Sequence, residues 1–590
     1  MSVSIRRIIL SIGLTFLSLG SAYAQWSGGV KADGAWNFRQ SNNENADFKL
    51  KYDRNKFHIG TDIYFGHSYL PSTQSTDILD GKKEQNEYYK NENKEINPRK
   101  FKAGATLDLG YVFNSCNTLD ATLSYGYNGR SENSLLETMR YSNPDKARLH
   151  GTQMDSTYFA SSKFTATIAY RHNFKSRPDA LLEINFWSST KLDADANRRI
   201  TDGDFYSKHK NYATYSSIND FDSKLSASYN DVFRFAGSDL KLKAGLDFLS
   251  DEDLDGYAAE TYVNGVWRDS TAYRQSYYYD SESLEPYANL TYSLGKFDFF
   301  VKERMQLFWH SMLDKLEDRK KSKDITGLFD KYDIRNLLNA GITYRINEKH
   351  RLVLEYSRSI SRPDYKKLCP TLMIGKSEGE YFLGNPDLLP EITDKINLGF
   401  TYTKGIFITK FDINYRDKRN TAEKVIDLER SKDVTDPGVK TIFTWINNKR
   451  QDSFGSKLNF KMNGTEVKAE IWAAFNYDKY WKDSKVDKED FNYELGTSVD
   501  VFLNESTKLY SSLAYISAKQ SAYNLKGEDV VASLRFSKIL AKGLELYFEL
   551  QDIVDKEVYE ETWNADMNYL KIVSTKPMQG MALLGVNFVF

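Results

Sequence analysis

The sequence predicts an all-β fold, a transmembrane antiparallel β-barrel of about 22 strands with short periplasmic turns and long extracellular loops. Three observations carry this reading. First, between Arg99 and Asn128 two strands alternate in period two. Phe101, Ala103, Ala105, Leu107, Leu109, Tyr111 and Phe113 face one way, while Lys102, Thr106 and Asp108 face the other. After Asn114-Ser115-Cys116-Asn117 the pattern resumes, with Leu119, Ala121, Leu123, Tyr125 and Tyr127 outward and Asp120, Thr122, Ser124 and Asn128 inward. It recurs to the last residue. Second, beyond the N-terminus no segment approaches the roughly 18 consecutive apolar residues of a spanning helix, and in lipid only helices and closed barrels satisfy their own backbone. Third, 27% charged residues accompany 40 Tyr, 35 Phe and 9 Trp, which suits a charged lumen with lipid-facing bands and interfacial girdles.

In chain order, residues 1–24 read as a secretory signal peptide: Arg6 and Arg7, an apolar run from Ile8 to Leu19, and Ala22-Tyr23-Ala24 before Gln25. No lipobox cysteine follows, so a lipid anchor is not expected. Residues 25–590 read as the barrel, in the outer membrane. Short turns are expected at 53–56, 114–117, 175–179, 236–239, 295–296, 347–350, 404–405, 463–466, 504–507 and 540–543. They alternate with longer polar segments, among them 71–98, 132–158, 251–284, 361–391 and 556–576, expected as outer loops. An even strand count leaves both termini in the periplasm. Strands descending toward the turns place Tyr111, Tyr170, Tyr229, Tyr292, Tyr344 and Tyr402 at one level, the expected inner girdle.

The final strand sets Leu584, Val586, Phe588 and Phe590 outward, with Gly585 and Asn587 inward. As Gly585-x-x-Phe588-x-Phe590 it resembles the C-terminal signal read by barrel-assembly machinery, with Leu583 where a polar residue is usual. Cys116 and Cys369 fall at opposite ends of the barrel and are expected as free thiols without catalytic or metal roles.

Candidate sites are few. Asp251-x-Asp253-x-Asp255-Gly256 has the alternate-carboxylate spacing of a calcium loop, although Tyr262 stands where the bidentate Glu belongs; a solvated acidic turn is the other reading. No other cofactor is expected. Tyr257, Tyr262, Trp267, Tyr273, Tyr277, Tyr278 and Tyr279 crowd the same segment and offer stacking faces with polar edges for a ligand or partner, or for packing within the hairpin. The 7 histidines are dispersed, with no HExxH, and no Ser/His/acid constellation stands out, so the chain reads as a non-enzyme. A net charge of −1 gives no basis for nucleic-acid binding.

One stretch is more specific than periodicity. Tyr356-Ser357-Arg358, Ser361-Arg362-Pro363, Leu368, Pro370 and Gly384-Asn385-Pro386-x-Leu388-x-Pro390-Glu391 precede a new strand through Ile396, Leu398 and Phe400. This resembles the mid-barrel signature of TonB-dependent receptors, particularly the outer-membrane β-barrel family common in Bacteroidota. Arg362, Pro363, Gly384, Asn385 and Pro386 are the residues that carry the resemblance. Members of that family have a TonB box and a plug domain before the first strand. Here a strand from Gly28 to Gln40 follows Gln25 almost at once, so the expectation is a barrel without its own plug. Its wide lumen is then filled by inward-folded loops or by another chain, a lipoprotein or separate periplasmic plug, or is left open. The resemblance implies a receptor or translocation component acting with a partner chain, in contact with outer-membrane lipid and assembled by barrel-assembly machinery. Alternatives are a scaffold subunit of an outer-membrane complex and a passive large-pore porin.

Overall fold

A computed structural model gives the fold. It describes residues 26–589 apart from 37–41, 81–87, 142–148, 204–210, 236, 264–265, 270–274, 315–326, 371, 375–379, 428–429, 432–440, 483–484, 521–523, 552, 555–557, 565–568 and 577–579. The signal-peptide reading, Tyr273 and Phe590 lie outside the described residues.

Among the described residues, 22 strands form one closed antiparallel wall. Closure is made by the first strand, Trp26–Trp36, against the last, Met581–Val589, in register from Gly29↔Val589 to Trp36↔Ala582. Every strand of the wall therefore has two hydrogen-bonded neighbours, the condition a sheet must meet in lipid. Both ends of the described chain lie at the same end of the barrel, beside the short turns.

The short turns lie where the sequence places them. At two of them glycine is required by geometry: Gly295 and Gly405 adopt φ of 59° and 57° in two-residue connections closed by Leu294↔Phe297 and Lys404↔Phe407. Positive φ at such positions matches the turn to the right-handed twist of the strands. Just above the turns the tyrosine girdle is visible as ring contacts, Phe297–Tyr344 at 4.6 Å, His350–Tyr402 at 4.8 Å and Tyr111–Phe113 at 4.9 Å.

Period two then sorts the two faces. Phe101, Tyr111, Phe113, Leu123, Tyr125, Ile471 and Phe475 stand exposed on the outer face. On the inner face Arg171 bonds Asp120 at 2.7 Å and Glu183 at 3.3 Å, and Thr122 donates to Asp108 at 2.7 Å. The inner face also carries five aromatic side chains set directly opposite glycines of the adjacent strand: Tyr64 on Gly104, Tyr287 on Gly245, Phe300 on Gly341, Trp472 on Gly496 and Tyr547 on Gly585. A Cβ at any of these glycines would lie 2.1–2.7 Å from the facing ring, so the missing side chain is the seat of the aromatic.

The long loops expected from polarity are largely strand. The ladder between Tyr88–Asn114 and Asn117–Tyr141 continues to Tyr89↔Tyr141, through most of the segments expected as loops. Likewise Ser238–Val263 and Gln275–Leu294 pair as far as Tyr257↔Gln275. Strands of 27 residues far exceed the roughly 9–11 needed to cross a bilayer. Beyond lipid the outward side chains no longer have to be apolar, so the alternation lapses while the backbone ladder continues. Segment 361–391, in contrast, is a true connection between strands ending at Ser361 and starting at Glu391.

The wall is uneven in height. Six successive strands from Tyr88–Asn114 to Ser238–Val263 are 24–27 residues long, whereas Trp26–Trp36, Leu544–Gln551 and Met581–Val589 have 11, 8 and 9. Over the low side stands a second tier, Lys519–Gln520, Asn524–Lys526, Val558–Asn564, Tyr569–Lys576 and Ser72–Asp80, paired in that order and joined to the long Tyr88–Asn114 strand. Among the described residues no helix is long and apolar enough to cross a membrane.

Candidate functional site

The site is at the end of the lumen away from the short turns, where segment 362–390 folds back across the wall as a strap. Its conformation follows from its residues. Pro363 ends the strand, and the Asp364 carboxylate accepts from Lys366 N at 2.8 Å to cap a single helical turn, Tyr365–Leu368. Leu368 and Cys369 are then buried at 2% and 3% exposure. The chain returns through Leu372–Ile374 and Glu380–Leu383, the latter pairing in parallel with Thr441–Phe443.

The motif Gly384-Asn385-Pro386 locks this path. A Cβ on Gly384 would lie 2.2 Å from the carbonyl oxygen of Cys369, so two passes of backbone meet there with nothing between them. Asn385 N donates to Lys367 O at 2.7 Å and its side chain donates to Trp445 O at 3.0 Å. The Lys331 ammonium donates to Pro386 O at 2.5 Å. Asn447 then clamps the exit, accepting from Leu389 N at 2.8 Å and donating to Leu389 O at 3.1 Å. The strap is thus tied to strands on both sides of it.

Its inner side covers an aromatic and charged patch. The ring of Tyr365 stacks on Tyr279 at 5.8 Å and 24°, and its hydroxyl donates to Asp255 at 3.3 Å. Tyr277, Tyr279, Met312 and Cys369 form a buried cluster beneath. The Arg362 guanidinium lies 3.8 Å above the Phe308 ring, donates to Gln306, and pairs with Asp333 at 3.4 Å. Gln306 in turn donates to Glu285, which pairs with Arg304 at 2.6 Å; Arg304 also reaches Asp247 at 3.1 Å, and Lys224 meets Asp247 at 2.8 Å. Arg362, singled out in the sequence only as carrying the family resemblance, is therefore the end of a charge chain running across five strands.

Beside the strap the inner face is acidic. Asp251 is paired with Asp222 and Asp253 with Asp220 across two neighbouring strands. Oxygens of Asp220, Asp222 and Asp251 lie within 4.8 Å of one another. The outward apolar face of this strand ends at Phe248 and continues with Ser250 and Glu252, so these carboxylates stand beyond the lipid-facing belt. Burial, reinforced by Asp222, pushes Asp251 up to about 8. Burial and the charges of Asp220 and Asp222 push Asp253 up to about 7. At the same level burial, with Arg362 and Lys331 nearby, brings His310 down to about 4, so its ring is neutral where Tyr279 meets it at 3.4 Å.

The sequence-predicted residues separate accordingly. Asp251, Asp253 and Asp255 lie on a regular strand and not in a loop, all on its inner side. Asp255 belongs to the strap contact, whereas Asp251 and Asp253 join Asp220 and Asp222, which spacing along one strand could not reveal. Of the aromatic group, Tyr277 and Tyr279 are packed beneath the strap, and Trp267 sits in a hairpin under the Arg198 guanidinium at 5.2 Å. Tyr257 is half-buried on the inner side of its strand, Tyr278 faces outward, and the Tyr262 backbone pairs with Trp267. Cys116 and Cys369 are both buried and are not joined in a disulfide, one lying in a short turn and one in the strap. Gly585 and Phe588 lie on the closing strand, where Tyr547 reaches over Gly585 to donate to Asp33 at 3.2 Å.

A closed 22-strand wall with this signature in its mouth can be compared with known proteins. The model of the outer membrane protein beta-barrel family matches residues 181–588. The chain belongs to that family. Among solved structures it is similar to the siderophore receptor PirA from Pseudomonas aeruginosa, at 12% identity over 94% of this chain and 81% of that one, with a TM-score of 0.53. It is similar also to the ferripyoverdine receptor of the Pseudomonas aeruginosa outer membrane bound to ferripyoverdine, at 12% identity, 96% and 72% coverage and a TM-score of 0.62. The receptor in the FpvAI–pyocin S2 complex matches at 12% identity, 96% and 73% coverage and a TM-score of 0.59. At such identity the likeness is one of fold. No curated protein matches. The neighbours are TonB-dependent receptor barrels, as the Arg362-Pro363 and Gly384-Asn385-Pro386 residues implied.

Proposed function

We propose that this family member is an outer-membrane receptor or translocation component that works with a partner chain. The short turns and both termini face the periplasm, after export by the residue 1–24 signal peptide, and the strap faces outside. The observation that carries the reading is the strap itself. A passive pore gains nothing from a mouth segment tied to both flanking walls and stacked on a charged, aromatic inner face; a gated or ligand-bearing mouth does. The strap covers one side of the lumen, and a separate plug or lipoprotein fills the remainder. The tyrosine-rich hairpin beside it, with Tyr257, Trp267 and Tyr278, is the contact surface for ligand or partner.

Conductance and co-purification test this together. Purified alone and placed in planar bilayers, the barrel is expected to pass current, and the partner extracted with it in mild detergent is expected to silence that current. A chain that elutes alone from its native membrane and conducts steadily there is a porin, and the receptor reading fails.

A further inference from the structure

We propose that Asp220, Asp222 and Asp251, with Asp253 beside them, bind one calcium ion on the inner face of the barrel mouth, next to the strap. The geometry comes from register. Asp251↔Asp222 and Asp253↔Asp220 place four carboxylates as two directly opposed pairs on one face, an arrangement that is repulsive when all four are ionised. The oxygens of three of them fall within 4.8 Å of one another, the span of a single coordination sphere at about 2.4 Å per bond.

Two further observations point to a missing positive partner. Asp253 is only 8% exposed and faces Asp220 across the ladder, and its side chain has no hydrogen bond or ion pair among the described residues. Asp220 Oδ1 is likewise buried without a hydrogen-bond partner. Protein cations fill the gap only in part. Lys191, opposite Asp220 on the neighbouring strand, and Lys163 both act on Asp220, but Lys191 is paired with Asp193 at 2.5 Å. Lys224, nearer the turns, is paired with Asp247. The strap adds another acid, Asp364, whose charge bears on Asp253.

All the protein ligands are hard carboxylate oxygens without histidine or thiolate among them, which selects a hard cation over zinc or copper. Carboxylates from two strands, each giving one or two oxygens, leave room for water and suit the large, adaptable sphere of calcium better than the strict octahedron of magnesium. Bound there, the ion pins the Asp222 strand to the Asp251 strand, two residues from the Asp253–Asp255 edge on which the strap rests.

The test uses the full-length barrel in detergent, titrated with calcium chloride by calorimetry after chelator treatment. We expect one ion per chain with a dissociation constant on the order of 10⁻⁴ M, the range of extracellular calcium modules. Calcium should also raise the unfolding midpoint, and chelator should lower it. Asp222→Asn/Asp251→Asn should weaken binding at least about tenfold and abolish the calcium-dependent midpoint shift, while Glu505→Gln, in an exposed short turn at the other end of the barrel, leaves both unchanged. Heat-modifiable migration on gels verifies folding, and Asp220→Asn substitutes if the double variant does not fold. Absence of saturable binding to the folded wild-type barrel, or wild-type binding by a folded variant, overturns the proposal.

Discussion

Two of the glycines that leave no room for a side chain, Gly585 and Gly384, differ in what they hold. At the seam, the Tyr547 ring lies over Gly585 of the last strand and donates to Asp33 of the first, joining three strands across the closure. In the strap, Gly384 lets two stretches of backbone touch at Cys369. The seam glycine faces a side chain and secures a topology; the strap glycine faces backbone and secures a local path. A barrel cannot exist half closed, because an open edge in lipid leaves a row of unpaired backbone groups, whereas a strap can detach while the wall stays intact.

Substitutions rank the two. The largest effect is expected from Gly585→Val, whose Cβ would meet Tyr547 at 2.1 Å: little or no heat-modifiable barrel should accumulate in membranes. Recovery of wild-type amounts would show that the seam tolerates displacement of the ring. Next is Gly384→Val, which should leave the barrel folded but cost about 1–3 kcal/mol locally, as overpacking does. Its signature is faster proteolytic nicking between residues 362 and 390 at unchanged overall melting; nicking at the wild-type rate would mean that the strap is not held by this contact. Tyr547→Phe keeps the ring and loses the hydrogen bond to Asp33, a charge-assisted bond worth about 1.5–3 kcal/mol, to be read from the denaturant midpoint for unfolding. Smallest is Tyr365→Phe, which removes the longer 3.3 Å bond to Asp255 but keeps the stack on Tyr279. About 0.5–1 kcal/mol is expected, visible only in strap nicking. If Tyr365→Phe proves as damaging as Gly384→Val, the hydroxyl and not the backbone crossing holds the mouth.

The same contrast separates what could be read from the sequence. Turn positions and the alternating wall were legible because they are local: Gly295 and Gly405 mark their own turns, and Leu123 or Ile471 declares its own face. The strap was half legible. Its punctuation at Pro363, Gly384 and Pro386 is sequential, but the contacts that give it meaning, Tyr365 with Tyr279 and Asn385 with Trp445, join residues far apart in the chain. The acidic site was least legible. Asp251 and Asp253 are visible as a spacing, but Asp220 and Asp222 enter only through the register of a neighbouring strand, and that register is set by a turn 12 or more residues away. Strand length failed for another reason: polarity marks the edge of lipid, not the edge of the sheet.

The second tier over the low wall records an order in time. Ser72–Asp80 is made early, yet its partner Tyr569–Lys576 is among the last segments synthesised, and Gln74 meets Thr575 across 501 residues of chain. That early segment must therefore wait, unpaired on one edge, until the C-terminal strands arrive. The rim is finished only after the final strands are in place, so any molecule that reads the completed rim is also reading whether the barrel beneath it has closed.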